Sequence, residues 1–285
     1  MPSDHPMHID LKAIFRSRGG AAAKVPSWCV GMLEKIIHQS ELNAILDHAW
    51  PRQGAPFCES VLEYLDIGMQ TCGLENIPSG QRLIFAGNHP LGGLDGISII
   101  SVLGRMYGDD NFRFLVNDML MNVEPLRSVF LPINKYGSQG REAARLINEC
   151  YASDKQMAIF PAGLVSRKGH GGIADLTWQK AFVAKAAEYG RLIVPMYFDG
   201  LNRPSFYNLA QWRKRLGIKV NLEQAMLPAE VCAARGKRFR LIFGKPINPE
   251  NLATSGRSLL SQAAEVKKKV YELRSEIARQ RTDNK

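Results

Sequence analysis

The chain has 285 residues, of which 45% are hydrophobic and 22% charged, which excludes wholesale disorder and fits one large α/β domain or a core domain with a smaller helical one. Lysine and arginine exceed aspartate and glutamate by ten, so an anionic partner is expected: a nucleic acid, a phosphate-bearing co-substrate or an anionic bilayer. The five cysteines, Cys29, Cys58, Cys72, Cys150 and Cys232, form no C-x-x-C pair, which argues against a disulfide framework or a zinc site and for a reducing compartment. No signal-peptide pattern is read at the N-terminus, and no apolar run reaches the roughly 18 residues that span a bilayer, so any lipid contact is expected from one side.

Residues 1–75 read as a helical region. A short basic and apolar piece covers 11–18 and ends at Gly19-Gly20. Across 25–50, Met32, Leu33, Ile36, Ile37, Leu42, Ile45 and Leu46 recur at helical spacing. Pro51, Gly54 and Pro56 break the chain before a second helical stretch over 57–69. Beyond residue 80 the texture changes. Short apolar runs at 82–86, 112–116, 130–133, 156–160, 192–198 and 238–243 predict strands, and helices are expected at 96–106, 138–151 and 175–189. The alternation predicts an α/β domain over 76–285, built on a mixed, largely parallel sheet flanked by helices. A long C-terminal helix over 258–280 carries one apolar stripe, Leu259, Ala263, Val266, Val270, Leu273 and Ile277. The stripe predicts docking on the body, with solvated Lys267, Lys268 and Lys269 on or beside the opposite face; a dimer seam and a membrane-surface contact are the alternatives.

The segment from Asn88 to Gly96, NHPLGGLDG, follows the first of those strands and precedes a helix. Catalytic groups of open α/β sheets gather at the carboxyl ends of strands, so its place suits chemistry. Pro90 and the two glycines would shape a turn that lets His89 and Asp95 face one another. A carboxylate that fixes the tautomer of a histidine and stabilises its imidazolium makes that histidine a general base. Asp95 also stands where a helix N-cap would stand, and the two roles are compatible.

A second segment, Ile159 to Lys168 (IFPAGLVSRK), also follows a strand. Gly163 permits close backbone approach, and Ser166, Arg167 and Lys168 supply donors for a phosphate or another anion; a basic surface turn is the bland alternative. Gly169-His170-Gly171-Gly172 behind it suggests a mobile, ligand-adapting loop. Two weaker pieces are Leu131-Pro132-Ile133-Asn134-Lys135 and Ile193-Val194-Pro195-Met196.

In order and spacing these four pieces resemble the four sequence blocks of the glycerol-phosphate and lysophosphatidate acyltransferase superfamily: N-H-x-x-x-x-D, G-x-x-F-I-D-R, F-P-E-G-T-R-S and V-P-[IV]. The resemblance covers about residues 80–200; its first and third blocks are specific in combination, its second and fourth weak. It implies an α/β acyltransferase in which His89 deprotonates the acceptor, Asp95 orients His89, and the acyl group comes from the thioester of acyl-CoA or an acyl-carrier protein. It implies no metal and no bound cofactor. Lys135, in the place of the family's arginine, would hold the acceptor head group with Gly163, Ser166 and Arg167, and Lys168, Lys180 and Asn88 complete the expected substrate-binding set.

This sequence departs from the pattern. Five residues separate His89 from Asp95 where the family has four, an excess the Gly92-Gly93 pair is expected to absorb as a bulge. The family's glutamate and threonine in the third block are Ala162 and Leu164, and its aspartate and arginine in the second are Asn134 and Lys135. The reaction class is therefore expected to be retained, and among lipid-precursor acceptors glycerol phosphate itself is disfavoured against a lysophospholipid or an amine- or amino-acid-based lipid of the ornithine or glycine kind. A cytoplasmic protein held peripherally on an anionic inner membrane face is expected, with no nucleic-acid partner, since no motif for one is present. The alternative is a non-catalytic acyltransferase-like protein that binds membrane lipid. A serine esterase is disfavoured because no G-x-S-x-G elbow follows a strand.

Overall fold

The computed structural model describes residues 5–17, 25–133, 140–218, 221–253 and 256–283. Its centre is a seven-stranded sheet in the order β1-β9-β8-β2-β5-β3-β4. Strands β2 (Leu83–Gly87), β3 (Phe112–Asn117), β4 (Phe130–Ile133), β5 (Gln156–Ile159) and β8 (Leu192–Asp199) are mutually parallel. Strand β9 (Arg238–Phe243) runs antiparallel to β8 and carries β1 (Gly68–Cys72) parallel to itself at the edge. A short antiparallel hairpin, β6 (Arg167–Gly169) with β7 (Gly172–Ala174), stands apart.

Both faces of the sheet are covered, which is why its central strands read as continuous apolar runs rather than as alternating ones. All five residues of β2 are buried. Leu83 and Phe85 enter one core cluster and Ile84 and Ala86 the other, as the two-residue period of a strand requires. The first face is packed by α3 (Gln39–Ala49), α4 (Gly54–Tyr64) and α5 (Gly93–Tyr107), through Ile45, Phe57, Val61, Ile99 and Leu103. The second is packed by α6 (Gly140–Ala152), α7 (Ala181–Glu188) and α11 (Leu259–Asp283), through Tyr151, Phe182, Val183, Ala263, Val266 and Val270. The remaining helices are α1 (Leu11–Ser17) and α2 (Ser27–Ile36) at the N-terminus, α8 (Pro204–Arg215) and α9 (Leu227–Cys232) before β9 in the chain, and α10 (Pro249–Ala253) after it.

Several expected elements are corrected. The helix over 25–50 is two helices, parted at His38, whose φ of 56° lies in the left-handed region. Pro56 sits inside the first turn of α4, where its missing N–H has no helical partner to lose. That helix stops at Tyr64; Asp66 turns the chain at φ 48°, and residues 68–72 form an edge strand of the sheet. The helix expected from residue 175 begins only at Ala181. The glycine-rich stretch after Lys168 forms the turn of the β6–β7 hairpin. The C-terminal stripe docks as expected, with Ala263, Val266, Val270 and Leu273 buried, while Leu259 is left at the surface. Lys267 is not a solvated lysine: its ammonium donates to the carbonyls of Asp175 and Leu176 at 2.7 and 3.1 Å.

Candidate active site

Parallel strands β8, β2, β5 and β3 end at one edge of the sheet, and the loops that leave them build the site. Past β2, the Asn88 side chain is buried and paired both ways with the main chain of Phe198, donating to its carbonyl at 3.0 Å and accepting its N–H at 2.7 Å. Asn88 thus fastens the His89 loop to β8. The Asn202 amide adds a bond to the Pro90 carbonyl at 3.1 Å.

Nδ1 of His89 lies 3.0 Å from Oδ2 of Asp95, which is fully buried. The same oxygen accepts the Leu91 N–H at 2.9 Å, and Oδ1 accepts the Gly96 N–H at 2.9 Å. Asp95 lies in the first turn of α5, where the helix dipole favours its charge. Gly92 takes up the extra residue of the loop, at φ 84° and ψ −96° immediately before the helix, a conformation that favours glycine. A Cβ there would stand 2.9 Å from Leu227. The imidazole lies flat on Phe160, ring centroids 4.0 Å apart and planes 17° from parallel. With Nδ1 turned to the carboxylate, Nε2 is the nitrogen left for a substrate, and the side chain is 16% exposed.

The segment after β5 divides into an inward and an outward part. Gly163 is exposed at φ 65°. Ser166 is buried: its N–H donates to the His89 carbonyl at 2.7 Å, and its hydroxyl reaches Asp175 Oδ1 at 2.5 Å and the His89 carbonyl at 3.2 Å. Arg167 is also buried, 3.2 Å from Glu223 and over the ring of Phe206 at 5.3 Å. Glu223 binds Arg213 through two further bonds, at 2.7 and 3.1 Å. Burial pushes the Glu223 carboxyl up, but the Arg213 hydrogen bond and the charges of Arg167 and Arg213 outweigh it and hold the group below its ordinary value. Burial draws the Arg167 guanidinium down. Ser166 and Arg167 therefore shape the loop from inside, while Lys168 on the hairpin and Lys180 at the head of α7 are exposed. Lys135 lies outside the described residues.

Asp175 has no place in the sequence expectation. It is buried and accepts the His89 N–H at 3.2 Å and the Trp178 indole N–H at 2.9 Å. The helical periodicity read over 175–189 concealed it, and its partners His89 and Tyr271 lie 86 and 96 residues away, so no local spacing marks it. Elsewhere among the described residues, ligand atoms of His38, Glu41 and Cys232 lie within 4.8 Å of one another. Glu41 is already paired with Arg235 at 3.0 Å, and burial pushes the Cys232 thiol up to about 12.

A histidine–carboxylate pair at the carboxyl edge of an α/β sheet has the chemistry a general base requires. The chain belongs to the acyltransferase family, which it matches over residues 14–279. It is 41% identical over 274 residues to the lyso-glycine lipid O-acyltransferase of Phocaeicola vulgatus, covering 96% of this chain and 98% of the relative. It is 40% identical over 274 residues to the lyso-glycine lipid O-acyltransferase of Bacteroides thetaiotaomicron, covering 96% of this chain and all of that relative, 100%. Among solved structures it is similar to the 1-acyl-sn-glycerophosphate acyltransferase PlsC of Thermotoga maritima, with a TM-score of 0.46 and 16% identity over 87% of this chain and 92% of that one.

Proposed function

We propose that the protein moves a fatty acyl group from an acyl thioester, on coenzyme A or an acyl-carrier protein, to the hydroxyl of a lyso-glycine lipid or a similar amino-acid lipid precursor. The observation that carries this is the His89–Asp95 contact at 3.0 Å, which engages Nδ1 and leaves Nε2 of a partly exposed ring as the other nitrogen. Nε2 of His89 takes the acceptor's hydroxyl proton as its oxygen attacks the thioester carbonyl. The carbon–sulfur bond then breaks, and the imidazolium returns the proton to the departing thiolate, which leaves as the free thiol. Asp95 holds the Nδ1–H tautomer and offsets the charge of the imidazolium. The exposed ammonium groups of Lys168, on the hairpin, and Lys180, at the head of α7, suit a carboxylate head group or the phosphates of a donor. The relatives' name supports the acceptor, and the altered third block fits an acceptor other than glycerol phosphate.

The same reading includes peripheral attachment to the inner, anionic face of a membrane. Among the described residues no helix is long and apolar enough to cross a bilayer. Met119 and Leu120, after β3, and Leu201, after β8, are exposed on the sheet edge that carries His89. An excess of ten basic residues supplies the attraction to anionic lipid. Sedimentation with phosphatidylglycerol vesicles at low and high salt tests this, and binding indifferent to salt counts against the electrostatic part.

Thiol release is the test of the chemistry. Acyl-CoA and acyl-carrier-protein donors are each paired with a lyso-glycine lipid, lysophosphatidate and glycerol phosphate. Release that depends on the lyso-glycine lipid, and is lost in His89→Ala, is the expected result. Release equal in His89→Ala and wild type would sink the assignment of the base.

A further inference from the structure

The site contains a second buried carboxylate that the transfer of the proton does not use. Oδ1 of Asp175 lies 3.2 Å from the main-chain nitrogen of His89 and 2.5 Å from the Ser166 hydroxyl, and Oδ2 accepts the Trp178 indole N–H at 2.9 Å. All three donors are neutral. A buried charge is costly, and an asparagine of the same size would avoid the cost. An asparagine, however, offers one acceptor oxygen where these donors engage two, and its amide group would face a donor. The main chain of Asp175 is itself held by the C-terminal helix: its N–H donates to the Tyr271 hydroxyl at 2.7 Å, and its carbonyl accepts from Lys267 at 2.7 Å.

We infer that Asp175 is a positioning residue that clamps the His89 loop and the Ser166 loop together, anchors both to helix α11, and thereby sets the aim of His89 Nε2. Both sides of the histidine's main chain are gripped, the N–H by Asp175 and the carbonyl by Ser166. The ring is then fixed by Asp95 and Phe160. The base is held from two directions by two carboxylates, one on its ring and one on its backbone. Misplacement of a reacting group by about 1 Å can lower a rate by about a hundredfold, so the backbone grip bears on rate rather than on affinity.

The inference rests on His89 as the base, and the test separates the two claims. Asp175→Asn, Tyr271→Phe and His89→Ala are compared with wild type for kcat and KM per folded molecule, for thermal unfolding, and for the downfield imidazole N–H proton resonance that His89→Ala lacks. Asp175→Asn is expected to lower kcat by about 10- to 100-fold with KM within about twofold, and to broaden or shift that resonance. Tyr271→Phe, which removes the hydroxyl that accepts the Asp175 N–H, is expected to lower kcat by about 3- to 10-fold and keeps the test open should Asp175→Asn fail to fold. Unchanged kcat in both variants beside an inactive His89→Ala would overturn the role of Asp175 and leave the base intact. A lower melting temperature with normal kcat would reduce Asp175 to a fold residue and likewise overturn it. An active His89→Ala would overturn the base, and the positioning role with it.

Discussion

Two charged side chains buried at opposite edges of the sheet use the same physical device for different ends. At the amino edge, just before β8, Arg191 is fully buried and donates to the carbonyls of Tyr151, Leu83, Lys155, Cys150 and Ser153. At the carboxyl edge, Asp175 collects the donors of His89, Ser166 and Trp178. Each satisfies several neutral partners that burial would otherwise leave unpaired. Arg191 ties α6, β5 and β2 into one unit and touches nothing reactive. Asp175 ties the loops that carry His89, whose side chain stays partly exposed. The number of bonds does not separate a fold residue from a site residue; what separates them is which atom the network leaves accessible.

The largest expected effect belongs to His89→Ala, which should lower kcat about a thousandfold, roughly 4 kcal/mol of barrier, with the unfolding midpoint little changed. A steady-state assay and a melt on the same preparation check it. Arg191→Met should do the reverse, destabilising the fold by about 3 kcal/mol because five carbonyls lose their donor, while kcat per folded molecule stays at the wild-type value. Denaturant titration measures the first quantity, and a clear fall in kcat would break the contrast between the two edges. Glu223→Gln should cost about 2 kcal/mol at neutral pH, since two buried guanidinium groups lose their carboxylate. The folded-state value of Glu223 is depressed, so its contribution is present above the ordinary glutamate range. It is lost as the pH falls through that depressed value. Melts of wild type and Glu223→Gln should therefore converge on acidification. The smallest effect is expected at the open rim, where Lys168→Ala or Lys180→Ala should raise KM about 3- to 10-fold, roughly 1 kcal/mol, with kcat nearly kept. A fall in kcat at constant KM would move either lysine from binding to chemistry.

Much of the site was legible in order along the chain. Asn88, His89 and Asp95 sit on a short segment between a buried strand and a helix, so local geometry brings the pair together, and Gly92 explains how five intervening residues still close the contact. The inward turn of Ser166 and Arg167 was not legible. Both are the residue types that bind anions, and only the positions of Asp175 and Glu223, 9 and 56 residues away, consume them. The strand at 68–72 was missed because its neighbour lies 170 residues further on, at β9, and its short polar sequence has no alternation of its own.

The amino-acid sequence by itself determined the class of fold, the docked C-terminal helix, and the histidine and carboxylate on one loop. Strand and helix periods, and a turn with glycine where φ must be positive, are properties of neighbours in the chain. Tertiary structure alone decided which polar residues stay exposed and which are spent inside. Hydrogen-bond satisfaction of a buried charge is settled by groups that meet only after folding: Lys267 and Tyr271 of α11 against Asp175, and Arg213 and Arg167 against Glu223. No local pattern carries that information, because each partner is chosen by the sheet that brings distant segments to a common edge.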